Sequence, residues 1–336
     1  MKKTVLITGI SGMVGSHLAD LLLKKTNWVI YGLCRWRSPL DNVDHLLDLV
    51  NKKNSRLKFI SADLNDYSSL IKALKISKPN YIYHLAAQSF PMSSFEEANS
   101  TFNTNFIGTY NLLNAVKLLN QKPYIHVCSS SEVFGKVKKE DVPINENCHY
   151  HPASPYAISK VGTDLVGKYF YEAFGMKVLI TRMFTHTGPR RGDVFAESSF
   201  AKQIALIEAK KIKPFIKVGN LKSLRTFADV RDAVEAYYLL LTKNPKPGAI
   251  YNIGGNYVCT VGEMLNYLLS KSKIKNIKIE TDKSRLRPID ADLQIPNITK
   301  FSNVTGWKPK ITFEKTMIDL LNYWRNRVKV QNFLDR

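Results

Sequence analysis

The segment Thr8-Gly9-Ile10-Ser11-Gly12-Met13-Val14-Gly15 constrains this chain more than any other. It follows the β-branched and apolar run Thr4-Val5-Leu6-Ile7 and opens a stretch in which Leu18, Leu21 and Leu22 share one helical face. Glycines between a strand and a helix permit a tight turn and let backbone N–H groups approach an anion, while the helix N-terminus stabilises its charge. The spacing is Gly-x-x-Gly-x-x-Gly, which makes Gly9, Gly12, Met13, Val14 and Gly15 the candidate contacts to a dinucleotide pyrophosphate. Three glycines alone would also serve an ordinary turn; their place between the first strand and the first helix favours the cofactor.

The rhythm after this loop predicts a parallel sheet. Apolar strands are expected at 29–33, 57–60, 80–85, 124–128 and 177–181, with amphipathic helices between them. After Thr185 the alternation loosens, then resumes with a helix over 230–241 and a strand over 249–253. A short strand near 277–280, a proline-rich stretch and a terminal helix complete the chain. We therefore expect an α/β, doubly wound parallel sheet formed by residues 1–184 plus 225–256, and a smaller, interleaved substrate-binding unit formed by 185–224 plus 257–336.

A chain of 336 residues with 44% hydrophobic residues can bury a substantial core. No apolar run approaches the roughly 20 residues that span a bilayer, and the apolar stretch after Met1-Lys2-Lys3 is cut short at Thr8-Gly9, so it reads as a strand rather than a signal peptide. The net charge of +21 favours anionic partners, but lysine is spread along the chain with no basic stripe interleaved with aromatics. Neither nucleic acid nor a membrane is expected as partner. The scattered Cys34, Cys128, Cys148 and Cys259 have neither metal-ligand nor redox-motif spacing, so we expect free thiols in a cytoplasmic protein and no metal.

The end of the second strand reads on cofactor choice. An acid there would bind an adenine ribose 2′-hydroxyl; this chain instead has Arg35, Arg37 and Ser38, which suit a 2′-phosphate and so NADP rather than NAD. Asp63 and Leu64, after the next strand, are placed to meet the adenine. Tyr156 and Lys160 lie four residues apart and share a helix face; the ammonium is expected to lower the phenol's affinity for its proton and make Tyr156 a base. Ser130 and Glu132 follow the strand over 124–128, where ligands of open α/β sheets bind. If the chain stays extended there, both side chains point to one side. A serine-rich turn followed by glutamate would otherwise be a helix cap and an exposed acid.

These pieces resemble the extended short-chain dehydrogenase/reductase family, and within it the GDP-mannose 4,6-dehydratases and related nucleotide-sugar dehydratases. The resemblance covers nearly the whole chain. It rests on the glycine loop, Arg35-Trp36-Arg37-Ser38, Leu85-Ala86-Ala87-Gln88-Ser89, Ser130-Ser131-Glu132 and Tyr156 with Lys160. Later matches are His186, Pro189-Arg190-Arg191-Gly192, Gly219-Asn220-Leu221 with Arg225, and Arg287-Pro288 with Asp290. It implies a Rossmann-type fold and a GDP-sugar substrate. Ser130 would hold the reacting oxygen, Tyr156 and Lys160 would run C4 oxidation, and Glu132 would be the acid/base that marks dehydratases. Leu85, Ala86, Ala87, Gln88, His186 and Arg191 would contact the cofactor. Ser89, Thr185, Arg190, Arg225, Arg287 and Asp290 would contact the substrate. It also implies a homo-oligomer, dimer or tetramer, with the loop 35–42 reaching a neighbouring subunit. The chain departs from the family where Thr185-His186 replaces Asn-His and in the segment 193–199, which leaves mannose and a manno-configured heptose both open as the sugar. A 4-epimerase or 4-keto reductase would use the same tyrosine and lysine but needs no C5 base; a non-enzymatic dinucleotide sensor would lack the pair.

Overall fold

The computed structural model describes residues 2–286 and 293–330. Arg287 and Asp290 lie outside the described residues. In chain order the strands are β1 (Thr4–Thr8), β2 (Val29–Cys34), β3 (Leu57–Ser61), β4 (Tyr81–His84), β5 (Tyr124–Ser130), β6 (Val178–Met183), β7 (His186–Thr187), β8 (Phe215–Val218), β9 (Leu224–Asp229), β10 (Ile250–Ile253), β11 (Tyr257–Thr260), β12 (Lys278–Thr281) and β13 (Leu293–Gln294). Seven of them form one parallel sheet in the order β10-β6-β5-β4-β1-β2-β3.

Both faces of this sheet are covered, so its strands read as continuous apolar runs rather than alternating ones. The two-residue period still sorts them. Val5, Ile7, Ile30 and Leu179 face the helices Met13–Lys25 and Val230–Thr242, together with Leu18, Leu22, Tyr237 and Leu240. Leu6, Ile82, Ile125, Val127 and Ile180 face the helices Tyr67–Ser77, Gly108–Leu118 and Pro155–Phe174. From β1 the strand order runs to β2 and β3 on one side, and β4, β5, β6 and β10 follow on the other. The order therefore reverses between β1 and β4. Crevices at such a reversal, outside the carboxyl ends of the strands, are where open α/β sheets bind ligands.

A second core joins the helices Ala196–Glu208, Val261–Ser270 and Phe313–Val330 to β8, β9 and β11. Two segments pack across the expected division. β9 pairs with β7, β11 and β13 in the small sheet, with Phe227 in the second core and Ala228 in the core of the large sheet. Phe301 and Trp307 bury in the core of the large sheet, so the chain returns there after β13. Both segments are short, and partners distant in sequence decide where each packs. Among the described residues no helix is long and apolar enough to cross a membrane.

Candidate active site

The glycine loop lies at the sheet reversal, and its backbone geometry explains its composition. Gly9 has φ +72°, and a Cβ there would fall 2.8 Å from the Cα of Ala86, just past the end of β4. A Cβ on Gly15 would fall 2.2 Å from the carbonyl oxygen of Gly9. Such approaches exclude any side chain, so both glycines are required for the loop to pack between β1 and β4. Gly12 caps the helix Met13–Lys25, with no side-chain hydrogen bond to the cap and no acid in the first turn. Its N–H groups and dipole suit a pyrophosphate.

Arg35 and Arg37 are exposed just beyond β2, with the Arg37 guanidinium stacked 4.7 Å from the Trp36 ring centre. The Ser38 N–H donates to the Arg35 carbonyl and closes the turn. Nothing acidic follows β2 before Asp41, and the cluster fits a dinucleotide carrying a 2′-phosphate. Asp63 is half-buried and accepts from the Asn65 N–H at 2.9 Å, while Leu64 is buried beneath Gly108.

Past β4, the Thr8 hydroxyl accepts from the N–H groups of Leu85 and Ala86, both at 3.0 Å. Ala87 follows, half-buried, and Ser89 is exposed. The Gln88 side chain turns back into its own loop, where its amide bonds Ser93 and the backbone of Phe90. Both the side chain and the backbone of Gln88 are therefore held by the fold. Asn105, which sequence reasoning missed, accepts from the Gln88 N–H and donates to the Gln88 carbonyl and the Ser159 hydroxyl. It sits in a π-helical turn, Asn103–Ile107, a local form common at functional sites.

Ser130 ends β5. The chain does not stay extended there: Ser131–Val133 is a 3₁₀ turn, and the Ser130 hydroxyl accepts from the Glu132 N–H at 3.2 Å. Gly135, at φ +53°, and its N–H bond to the Glu132 carbonyl complete the reversal. The capping arrangement thus forms within the candidate site. Ser130, Glu132 and Arg191 all lie within electrostatic reach of the Tyr156 phenol. Tyr156 opens the helix Pro155–Phe174, which is capped by Ser154 and started by Pro155.

The electrostatics differ from the expectation. Burial pushes the Tyr156 phenol well above its ordinary value; Ser130 opposes that shift, and Glu132 adds to it. Lys160 is buried, and its Nζ donates to the Cys128 carbonyl at 2.8 Å. Burial pulls its pKa down, while Cys128 and Asp164 pull it up. Desolvation is the largest cause of both shifts. His186 is held to about 3 by burial first and by Arg191 second, so its ring is neutral.

Of the two neighbouring arginines only Arg191 faces this centre. It pairs with the buried Glu197 at 3.1 Å and stacks on Phe195. Arg190, with φ +70°, instead bonds Asp20 at 2.7 Å and approaches His45. The left-handed backbone at Arg190 sends the two side chains apart. The Thr185 carbonyl accepts from Ala228, and Arg225 lies on β9 with a bond to the Leu224 carbonyl. No group of three or more histidine, cysteine or acidic side chains that could hold a metal occurs among the described residues.

A family model described as GDP-mannose 4,6 dehydratase matches residues 6–320. The chain belongs to the GDP-mannose 4,6 dehydratase family. It is 32% identical to GDP-mannose 4,6 dehydratase 1 of Arabidopsis thaliana over 94% of this chain and 87% of that one. It is 29% identical to the GDP-6-deoxy-D-mannose reductase of Pseudomonas aeruginosa over 98% of this chain and 99% of that one. The structure of RMD from Pseudomonas aeruginosa complexed with NADPH superposes with a TM-score of 0.81 at 28% identity, covering 97% of this chain and all of that one. Membership makes the protein an enzyme of the nucleotide-sugar dehydratase and reductase group.

Proposed function

We propose that this protein is an NADP-dependent nucleotide-sugar 4,6-dehydratase acting on GDP-mannose or a GDP-manno-heptose. The observation that carries the reading is the convergence of Ser130, Glu132 and Tyr156 at the end of β5, beside buried Lys160. In this scheme the Ser130 hydroxyl holds the C4 oxygen and Tyr156 takes its proton. Bound NADP supplies the hydride acceptor at C4 and the donor at C6. Oxidation at C4 acidifies the C5 hydrogen; Glu132 takes that proton and passes it to the C6 hydroxyl, which leaves as water, and C5 gains a solvent-derived proton as hydride reaches C6. Arg191, steadied by Glu197, offers positive charge beside the phenolate. The large sheet would hold the cofactor; the smaller unit, with Arg225, would hold the nucleotide sugar. A cytoplasmic location accords with the four free thiols.

Turnover of either substrate in deuterated water tests the reading. Solvent deuterium should appear at C5, and the C4 hydrogen should move to C6 within one molecule. The near-complete mutual coverage with the Pseudomonas aeruginosa reductase favours a second reading, a GDP-4-keto-6-deoxy-sugar reductase. NADPH consumption with a 4-keto substrate, and no water loss from GDP-mannose, would establish it instead.

The cofactor choice follows from Arg35 and Arg37. NADP is expected to bind more tightly than NAD, and Arg35→Ala to weaken NADP selectively. Calorimetric titration giving equal or tighter NAD binding would remove the 2′-phosphate argument. We also propose a homo-oligomer. Trp36, 80% exposed on the loop after β2, and the half-exposed Ile158, Leu165 and Tyr169 on the helix Pro155–Phe174 support self-association. Sedimentation at micromolar concentration should report a dimer or tetramer; an active monomer would refute this.

A further inference from the structure

Two turns beyond Tyr156 and one beyond Lys160, Asp164 lies on the same helix with its carboxylate fully buried. Its Oδ2 accepts from the Arg182 Nε–H at 2.7 Å and from the Tyr150 hydroxyl at 3.2 Å. Arg182, 3% exposed on β6, also donates to the Tyr150 oxygen and to the Glu146 carbonyl, both at 2.8 Å. Its guanidinium lies between the rings of Phe134 and Tyr150, at 5.1 and 5.0 Å. Phe134 directly follows the turn that carries Glu132, and Arg182 is in register with Ser129 on β5. The triad therefore ties the Tyr156–Lys160 helix to the strand end that carries Ser130 and Glu132. The second carboxylate oxygen, Oδ1, is buried with no hydrogen-bond partner.

We propose that Asp164, held by Arg182 and Tyr150, is a positioning residue for Lys160: it keeps that side chain charged and in place at the end of β5, and thereby sets the upper pH limit of hydride transfer. The inference rests on Tyr156 and Lys160 being the catalytic pair of the proposed function. Cys128 also acts on Lys160, and the imidazoles of His84 and His126 lie within electrostatic reach of it. Burial holds both imidazoles to about 3, so neither titrates in the range that matters. Asp164 is the fixed negative charge nearest Lys160 along its own helix, and it opposes the desolvation that favours the neutral amine.

The test is the pH dependence of cofactor reduction in the full-length protein loaded with NADP and mixed rapidly with GDP-mannose, read as near-ultraviolet absorbance. Asp164→Asn removes the negative charge; the alkaline limb should move down by about one pH unit. Arg182→Gln leaves the carboxylate without its cation, and the limb should move up. Opposite shifts are a signature that loosened packing does not produce. If either variant fails to fold, as judged by near-ultraviolet circular dichroism, the double variant Asp164→Leu with Arg182→Met replaces the pair by apolar groups of similar size. Its limb should also move down, though by less, because of the two charges only Asp164 acts directly on Lys160. Folded Asp164→Asn or a folded double variant with its limb at the wild-type pH would overturn the proposal, as would shifts in the same direction for the two single variants. Wild type that reduces no cofactor would overturn the dehydratase reading instead. The same series then runs with NADPH and a GDP-4-keto-6-deoxy sugar, where loss of the Asp164 charge should again lower the limb.

Discussion

Tyr156→Phe is expected to lower kcat/KM about 10²–10⁴-fold, the usual effect of losing a positioned base, and to suppress cofactor reduction and water loss together. The two losses coincide because every later step needs the C4 ketone. The phenol is 7% exposed, and the substitution removes one oxygen from a packed site. The melting temperature should therefore change little, and GDP-mannose should still bind. Burial raises the phenol's pKa, so the ionised base is scarce at low pH and kcat/KM should climb as pH rises through the neutral range. A Phe variant that retains oxidation at C4 would show that Tyr156 is not the base.

Glu132→Gln is expected to separate what Tyr156→Phe collapses. The amide keeps the size and most of the hydrogen bonding of the acid but cannot accept the C5 proton. Oxidation at C4 should proceed while elimination stalls, with product formation down roughly 10²–10⁴-fold. Reduced cofactor should accumulate on the enzyme, visible as near-ultraviolet absorbance within one turnover, with almost no 6-deoxy product. Deuterium incorporation at C5 should fall in proportion. If the Gln variant turns over normally, Glu132 does not remove the C5 proton. If oxidation is lost as well, Glu132 acts through its neighbours Ser130 and Tyr156 rather than on the substrate.

The two variants probe a site whose parts were unequally legible in sequence. Local rules carried the glycine loop. Gly9 and Gly15 are needed because the backbone passes too close for a Cβ, and that requirement shows as residue type. The strands of the large sheet read clearly for a similar reason: burial on both faces makes each a continuous apolar run. Tyr156 and Lys160 follow from helical spacing alone. Asp164 obeys the same spacing, so a search for a third polar residue on that face would have found it.

What the sequence withheld depends on contacts between distant segments. The 3₁₀ turn after Ser130 exists because a serine hydroxyl and Gly135 offer the chain a local alternative to continuing β5, and extended and capped readings have the same residue signature. The raised affinity of Tyr156 for its proton reflects desolvation by surrounding elements, which pairwise spacing with Lys160 does not encode. Arg190 and Arg191 are adjacent and chemically identical, yet one binds Asp20 and the other Glu197. Their separation needs the left-handed backbone at Arg190 and two helices from different parts of the chain. Sequence by itself determined the glycine loop, the strands of the parallel sheet and the spacing of Tyr156 and Lys160, because each shows as a pattern within a few residues. Only the tertiary structure decided which charges meet and how deeply they are buried, because those depend on distant segments, as between Asp20 and Arg190, 170 positions apart.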